Sequence, residues 1–132
     1  MSDDPIDPDG RTDASPRDAG TNEPIASAIV AGPDDHDIAP ALAAEGIDVT
    51  RIDEPPNRPA LETAGITSVE GYVVTDYADA TSVPIARDLT DDLRIVAYAS
   101  GSVPEFVRSQ LDLAIDPRVL DPNIVAEELA RP

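Results

Sequence analysis

The chain has 132 residues, enough for one domain of ordinary size. Its 27 acidic residues outweigh 9 basic ones, for a formal net charge of −18. Such a surface repels phosphate, which excludes nucleic acid and an anionic membrane as partners. All the basic residues are Arg, and the chain has neither Lys nor Cys. That excludes disulfides, thiolate nucleophiles, Cys-ligated zinc, Schiff-base chemistry and a P-loop lysine.

The hydrophobic fraction of 41% is ordinary for a globular protein, but the aromatics are only Tyr72, Tyr77, Tyr98 and Phe106. The acid excess runs along the whole chain, and in this it resembles the proteins of salt-loving archaea. At about 1 M salt the Debye length is only ~3 Å, so self-repulsion of such a charge is screened.

Residues 1–24 carry seven acids and two Arg, with Met1 and Ile6 as almost the only large apolar side chains. Such a segment cannot bury enough apolar surface to offset its ordering entropy, and a disordered acidic tail is expected. It lacks the basic and apolar regions of a secretory signal, and no run approaches a membrane span. A soluble cytoplasmic protein is expected. The remaining 108 residues carry 20 acids and 7 Arg and form one domain.

Within that domain Ile25–Ala31 is a short apolar run ending at Gly32-Pro33, which predicts a buried strand. Ile38–Glu45 is Ala- and Leu-rich, has Asp37 as N-cap and stops at Gly46, which predicts a helix. Ile47–Ile52 alternates apolar and polar residues, as an edge strand would. Arg58–Ala64 is a second helix, ended by Gly65. Gly71–Thr75 is the third strand. Ala78–Asp88 is a helix candidate with Pro84 inside it, where Pro breaks a helix interior. Leu93–Ala99 is the fourth strand. Val103–Gln110 is a helix starting near Pro104, with Ser102 as cap and Glu105 as its capping-box partner. Leu111–Ile115 is a fifth strand. Asn123–Ala130 is the last helix, capped by Asp121 with Pro122 at its first position.

Strands alternating with helices give an α/β, three-layer, doubly wound parallel sheet of five strands, a Rossmann-like architecture. Strand order 2-1-3-4-5 places the apolar first and fourth strands inside and the half-polar second strand at an edge. Ligands of such sheets bind at the carboxyl ends of the strands, at the switch between the first and third. The residues that follow the strands are Gly32–Asp37, Asp53-Glu54, Thr75-Asp76, Ser100–Ser102 and Asp116-Pro117. Among these, Gly32, Asp34, Asp37, Asp53, Thr75, Asp76 and Ser100 are the candidate ligand-binding residues.

Ile29-Val30-Ala31-Gly32 followed by Leu42, Gly46-Ile47-Asp48-Val49 and Ile52-Asp53 looks like the start of a Rossmann nucleotide-binding domain. Leu61–Ile66, Gly71–Asp76, Asp92–Ala97 and Leu113–Pro117 extend the likeness over most of residues 26–130. The ordered set resembles the regulatory domains that bind NAD or adenine nucleotides on potassium channels and transporters, the RCK type. That resemblance implies a dinucleotide at a G-x-G-x-x-G turn, with an acid on its ribose. Gly32 matches the first glycine, but Asp34 and Asp37 stand at the second and third. Each adds a Cβ and a negative charge facing a pyrophosphate. Asp53 falls 21 residues after Gly32, at the place of the ribose acid. From Asp53 to Leu61 there is no room for the family's helix and strand.

The strand order is also that of response-regulator receiver domains. Their acid pair, phosphoacceptor Asp and Ser/Thr would correspond to Asp34-Asp35, Asp76 and Ser100. Their Lys-Pro would correspond to Asp116-Pro117, so the counter-charge to a phosphoaspartate is replaced by a carboxylate. The run Asp34, Asp35, His36, Asp37 offers oxygen ligands of the kind Mg²⁺ or Ca²⁺ takes, but contiguous residues cannot all face one ion. His36 is the only His and has only Ser, Thr or Asp as potential partners in nucleophilic catalysis. In general look the chain is also similar to short proteins of salt-loving archaea that carry the name CTP synthetase. That activity needs a Lys-bearing phosphate loop and a glutaminase Cys, and this chain has neither.

The expectation from sequence is a non-enzymatic Rossmann-like domain, diverged from a nucleotide-binding regulatory domain, that senses a small ligand or docks on a protein. A small molecule, a nucleotide or a protein is the expected kind of partner, and the cofactor is not readable. The alternative is a nucleotide- or metal-dependent enzyme, or a receiver-like phosphoswitch, built on Asp76.

Overall fold

The computed structural model describes residues 24–131. The acidic tail therefore lies outside the described residues except for Pro24. Five strands form one parallel sheet: β1 (Ser27–Ala31), β2 (Asp48–Ile52), β3 (Gly71–Val74), β4 (Arg94–Tyr98) and β5 (Leu113–Ile115). Their order is β2-β1-β3-β4-β5, as expected from the apolar content of each strand. β1 is central because four of its five residues are buried, whereas β2 alternates exposed and half-buried residues and takes an edge. Register runs from Ile29 beside both Thr50 and Tyr72 to Tyr98 beside Ile115.

Two-residue alternation along the strands divides the core. Ala28, Val30, Val73, Val96 and Tyr98 pack under α1 (Ile38–Ala44) and α4 (Pro122–Ala130). Ile29, Ala31, Tyr72, Val74 and Ile95 pack under α2 (Arg58–Ala64) and α3 (Ser82–Leu89). Ile38, Leu42, Leu61 and Leu129 are fully buried anchors of three of these helices. Each such side chain contributes about 1.5–3 kcal/mol of burial.

Several helix boundaries differ from those expected. Asp37 stands at the N-cap of α1 but makes no side-chain cap bond; the carboxylate that caps the helix is that of Asp34, which accepts from the Ile38 and Ala39 amides at 2.7 and 3.0 Å. Asp37 itself is in the left-handed conformation, at φ 61°. The Ala78–Asp88 candidate resolves into a 3-10 turn, Tyr77–Asp79, followed by α3. Pro84 then falls in the first turn of α3, where its missing N–H has no partner to lose. Val103–Gln110 is a 3-10 segment over Glu105–Gln110, entered through Pro104 in extended backbone with no side-chain cap, so Ser102 and Glu105 form no capping box. Pro104 disfavours helix in the residue before it, which pushes the start past Ser102. Asp121 stands at the N-cap of α4, ahead of Pro122, but makes no side-chain cap bond. α2 is held at its ends by the Asn57 side chain, which accepts from Ala60 at 2.9 Å, and by Gly65 at φ 89°.

Candidate functional site

The parallel topology brings the ends of β1, β3 and β4 to one edge of the sheet, where a cleft of about 210 Å³ opens. Pro33, Asp35 and His36 line it from the loop after β1, Thr75 and Asp76 from the end of β3, and Ala99 and Ser100 from the end of β4. Of the expected site residues, Thr75, Asp76 and Ser100 thus meet in one cleft.

The others have different work. Gly32 adopts φ 103°, and a Cβ there would lie 2.5 Å from the Thr75 hydroxyl oxygen. That hydroxyl sits between the carbonyls of Pro33 and Ala31, 3.2 Å from the latter. Gly32 is therefore needed for the approach of β3's own side chain, and the space above it is filled. Asp34 takes two amides at the start of α1, the groups that in a dinucleotide site turn towards pyrophosphate. Asp37 is exposed, off the cleft. Asp53 is bound by Arg51 at 3.3 Å on the β2 edge, and the same Arg51 guanidinium donates to the Gly32 carbonyl at 2.9 Å.

Asp76 is exposed, and its carboxylate accepts from the Ala78 amide at 2.8 Å, opening the 3-10 turn. Next to it, Asp79 is pushed above the usual carboxylate range by burial and by the Asp76 charge. His36 packs edge-on against Tyr98, with ring centres 6.2 Å apart. The Tyr98 hydroxyl donates to the Leu120 carbonyl at 2.7 Å and so ties the end of β4 to the entrance of α4.

A further ion pair closes the β5 end of this edge. Arg118 grips Asp116 with its side chain at 2.7–3.2 Å and with its backbone amide at 2.8 Å. These hydrogen bonds hold the Asp116 carboxyl down at about 2, with a smaller contribution from His36. The Asp116 charge, after burial, also raises Tyr77. Arg118 was missing from the expected site. The Asp116-Pro117-Arg118 spacing carries the signal for it, since Pro117 turns the chain so that the two side chains meet. Where a receiver domain presents a free cation, this chain therefore presents one that is already neutralised. Among the described residues no group of three or more His, Asp or Glu is placed to hold a metal ion. No helix among them is long and apolar enough to cross a membrane.

Fold and cleft together define a Rossmann-like α/β domain in which the turn after β1 is filled by the Asp34 and Thr75 side chains. The chain belongs to the family of unknown function DUF7126, whose pattern matches residues 28–129. No curated protein matches it. Among solved structures it is similar to a protein of Burkholderia pseudomallei K96243 described as pilus assembly-related. That likeness has a TM-score of 0.54 at 16% identity and covers 80% of this chain and 92% of the other. At that identity it is a likeness of fold.

Proposed function

We propose that this chain is a non-enzymatic recognition module that uses the carboxyl-end cleft to bind a neutral or cationic group, presented by a small molecule or by a protein. The observation that carries the reading is the Asp34 carboxylate on the Ile38 and Ala39 amides. It satisfies the donors that a bound phosphate would use, and it adds a negative charge where the phosphate would sit. A dinucleotide must then displace a cap worth about 1 kcal/mol and face a like charge. The rim adds Asp35 and Asp76, so a cation or a neutral donor is favoured over an anion. Thr75 and Ser100 supply hydroxyls for orientation. The acid excess further suits a protein that works in concentrated salt, and the Rossmann ancestry supplies the scaffold rather than the ligand.

The test is an amide NMR titration of the full chain with ADP and, separately, with N-acetylarginine amide, a guanidinium without charged termini. The expected result is movement confined to residues near Thr75, Asp76 and Ser100 with the guanidinium, lost in Asp76→Ala, and none with ADP. Movement of the Gly32–Ile38 amides with ADP overturns the reading. Turnover of any added nucleotide that disappears in Asp76→Ala establishes an enzyme instead.

A further inference from the structure

His36 is the only His of the chain, and the fold sets it on the rim of the cleft. It lines the cleft from the loop after β1, together with Asp35 of the same loop and Asp76 from the end of β3. Its ring stands edge-on to the Tyr98 ring of β4, at an interplanar angle of 81°. Its charge also reaches Asp116, after β5. The residue is exposed, so the imidazole can exchange its proton with water while it faces the cleft.

The charged groups around it come from each of these strand ends. Neither Asp35 nor Asp76 has an ion-pair partner among the described residues. Asp116 is already clamped by Arg118, and Asp34 is committed to the α1 amides. Asp37 is exposed, off the cleft. Asp79 stands behind Asp76 and shares its field. The Tyr77 and Tyr98 phenols are pushed up by burial, with Asp121 of the α4 entrance adding to the effect on Tyr98, and they stay neutral below pH 8. No Arg lines the cleft. A protonated His36 is therefore the cleft's own cation, set beside two carboxylates that have no other counter-charge.

On the reading that the cleft takes a cationic group, we infer that protonation of His36 closes it to that group. The imidazolium occupies the field of Asp35 and Asp76 that a guanidinium or ammonium ligand needs. The neutral imidazole leaves that field to the ligand. By linkage the effect runs both ways, and a bound cation makes His36 harder to protonate.

The experiment is an NMR titration of the full chain with N-acetylarginine amide at steps from pH 8 to 5, the interval in which histidine side chains change charge. The guanidinium keeps its charge throughout. His36 is followed in the same samples through its Cε1 proton. The dissociation constant is expected to rise at least about fivefold as pH falls, the scale of one like charge across a partly hydrated cleft. The rise should track the His36 titration, and saturating ligand should move that titration to lower pH. His36→Gln should remove the rise, apart from what Asp79 and the other carboxylates contribute. His36→Arg should bind weakly at both ends of the range. An affinity flat with pH, or a rise that His36→Gln leaves in full, overturns the inference and leaves the cation-binding reading standing. Absence of guanidinium binding at every pH overturns both.

Discussion

The carboxylate of Asp34 lies 2.7 Å from the amide nitrogen of Ile38, and it turns the start of α1 from a place that could receive an anion into one already occupied. Its second oxygen takes the Ala39 amide. The helix is short, and its first buried residue is Ile38 itself, so the cap and the core anchor are adjacent. Asp34→Ala is expected to destabilise the domain by about 1 kcal/mol, as loss of an N-cap does. In a domain of this size that lowers the melting temperature by about 4–8 °C. Asp34→Asn keeps an acceptor for Ile38 and should recover part of the loss. Calorimetry on the three proteins decides; an unchanged Asp34→Ala denies the cap its role.

Arg87 is the second fixed point of the fold. Its guanidinium donates to the Leu93 carbonyl at 2.6 Å, to the Gln110 carbonyl at 2.8 and 3.2 Å, and to Asp112 at 3.0 Å. Asp112 in turn accepts from the Ile95 amide. One side chain of α3 thus joins the entries of β4 and β5. Arg87→Met keeps the aliphatic stem but leaves carbonyls and a largely buried carboxylate without their donor. The expected cost is about 2–3 kcal/mol, read as a lower urea midpoint at unchanged slope. Arg87→Lys should recover little, because one ammonium cannot reach all three acceptors.

Tyr72 gives the protein an alkaline limit. It is fully buried and donates to the Ser82 hydroxyl at 2.7 Å. Burial pushes its phenol up from 10.0 to about 12. An unfolded Tyr releases its proton near pH 10, the folded one only about two pH units later. The stability from keeping Tyr72 neutral is therefore complete below pH 10 and drains away as pH rises towards 12, by about 3 kcal/mol. Tyr77 and Tyr98 are raised as well and act in the same direction. Tyr72→Phe should lower stability at neutral pH by about 1 kcal/mol and flatten the alkaline fall. Denaturation midpoints followed from pH 8 upward test both.

Salt dependence follows from the net charge of −18. Raising KCl from about 0.1 to 1 M shortens the Debye length from about 10 to 3 Å. Repulsion among acids such as Asp34, Asp35 and Asp37, or Asp76 and Asp79, is screened over that interval. The melting temperature should rise through it and level off beyond. A flat or falling curve would show that self-repulsion does not limit this fold.

The fold was legible in the sequence because strand burial writes itself into composition. Ser27–Ala31 and Arg94–Tyr98 are buried after their first residue, Ser27 or Arg94, Asp48–Ile52 alternates, and these three patterns alone order much of the sheet. Helix ends were less legible. Asp34 and Asp37 have the same side chain, and only the folded loop decides which one caps the helix. Ser102 and Glu105 have capping-box spacing, yet Pro104 between them holds the backbone extended. The cleft was legible only as a set of strand ends. Thr75, Asp76 and Ser100 meet because β3 and β4 are neighbours, while Asp53, at the far edge on β2, is drawn off by Arg51. The Arg118–Asp116 pair depends on a turn through Pro117, and its signal lies in the Asp-Pro-Arg spacing rather than in composition or strand ends.

The central claim, that the fold has outlived its phosphate site, is tested most directly by thermal shift of the full chain in about 2 M KCl with NAD, NADP, ATP, ADP, AMP and CTP, each with and without Mg²⁺. A nucleotide at a hundred times its dissociation constant adds about 2.7 kcal/mol. In a domain of this size that is a shift on the order of 10 °C or more. With Asp34 on the α1 amides and Thr75 over Gly32, no nucleotide should move the transition. A shift of that size with any one of them would mean that Asp34 yields its place to phosphate, and would contradict the claim.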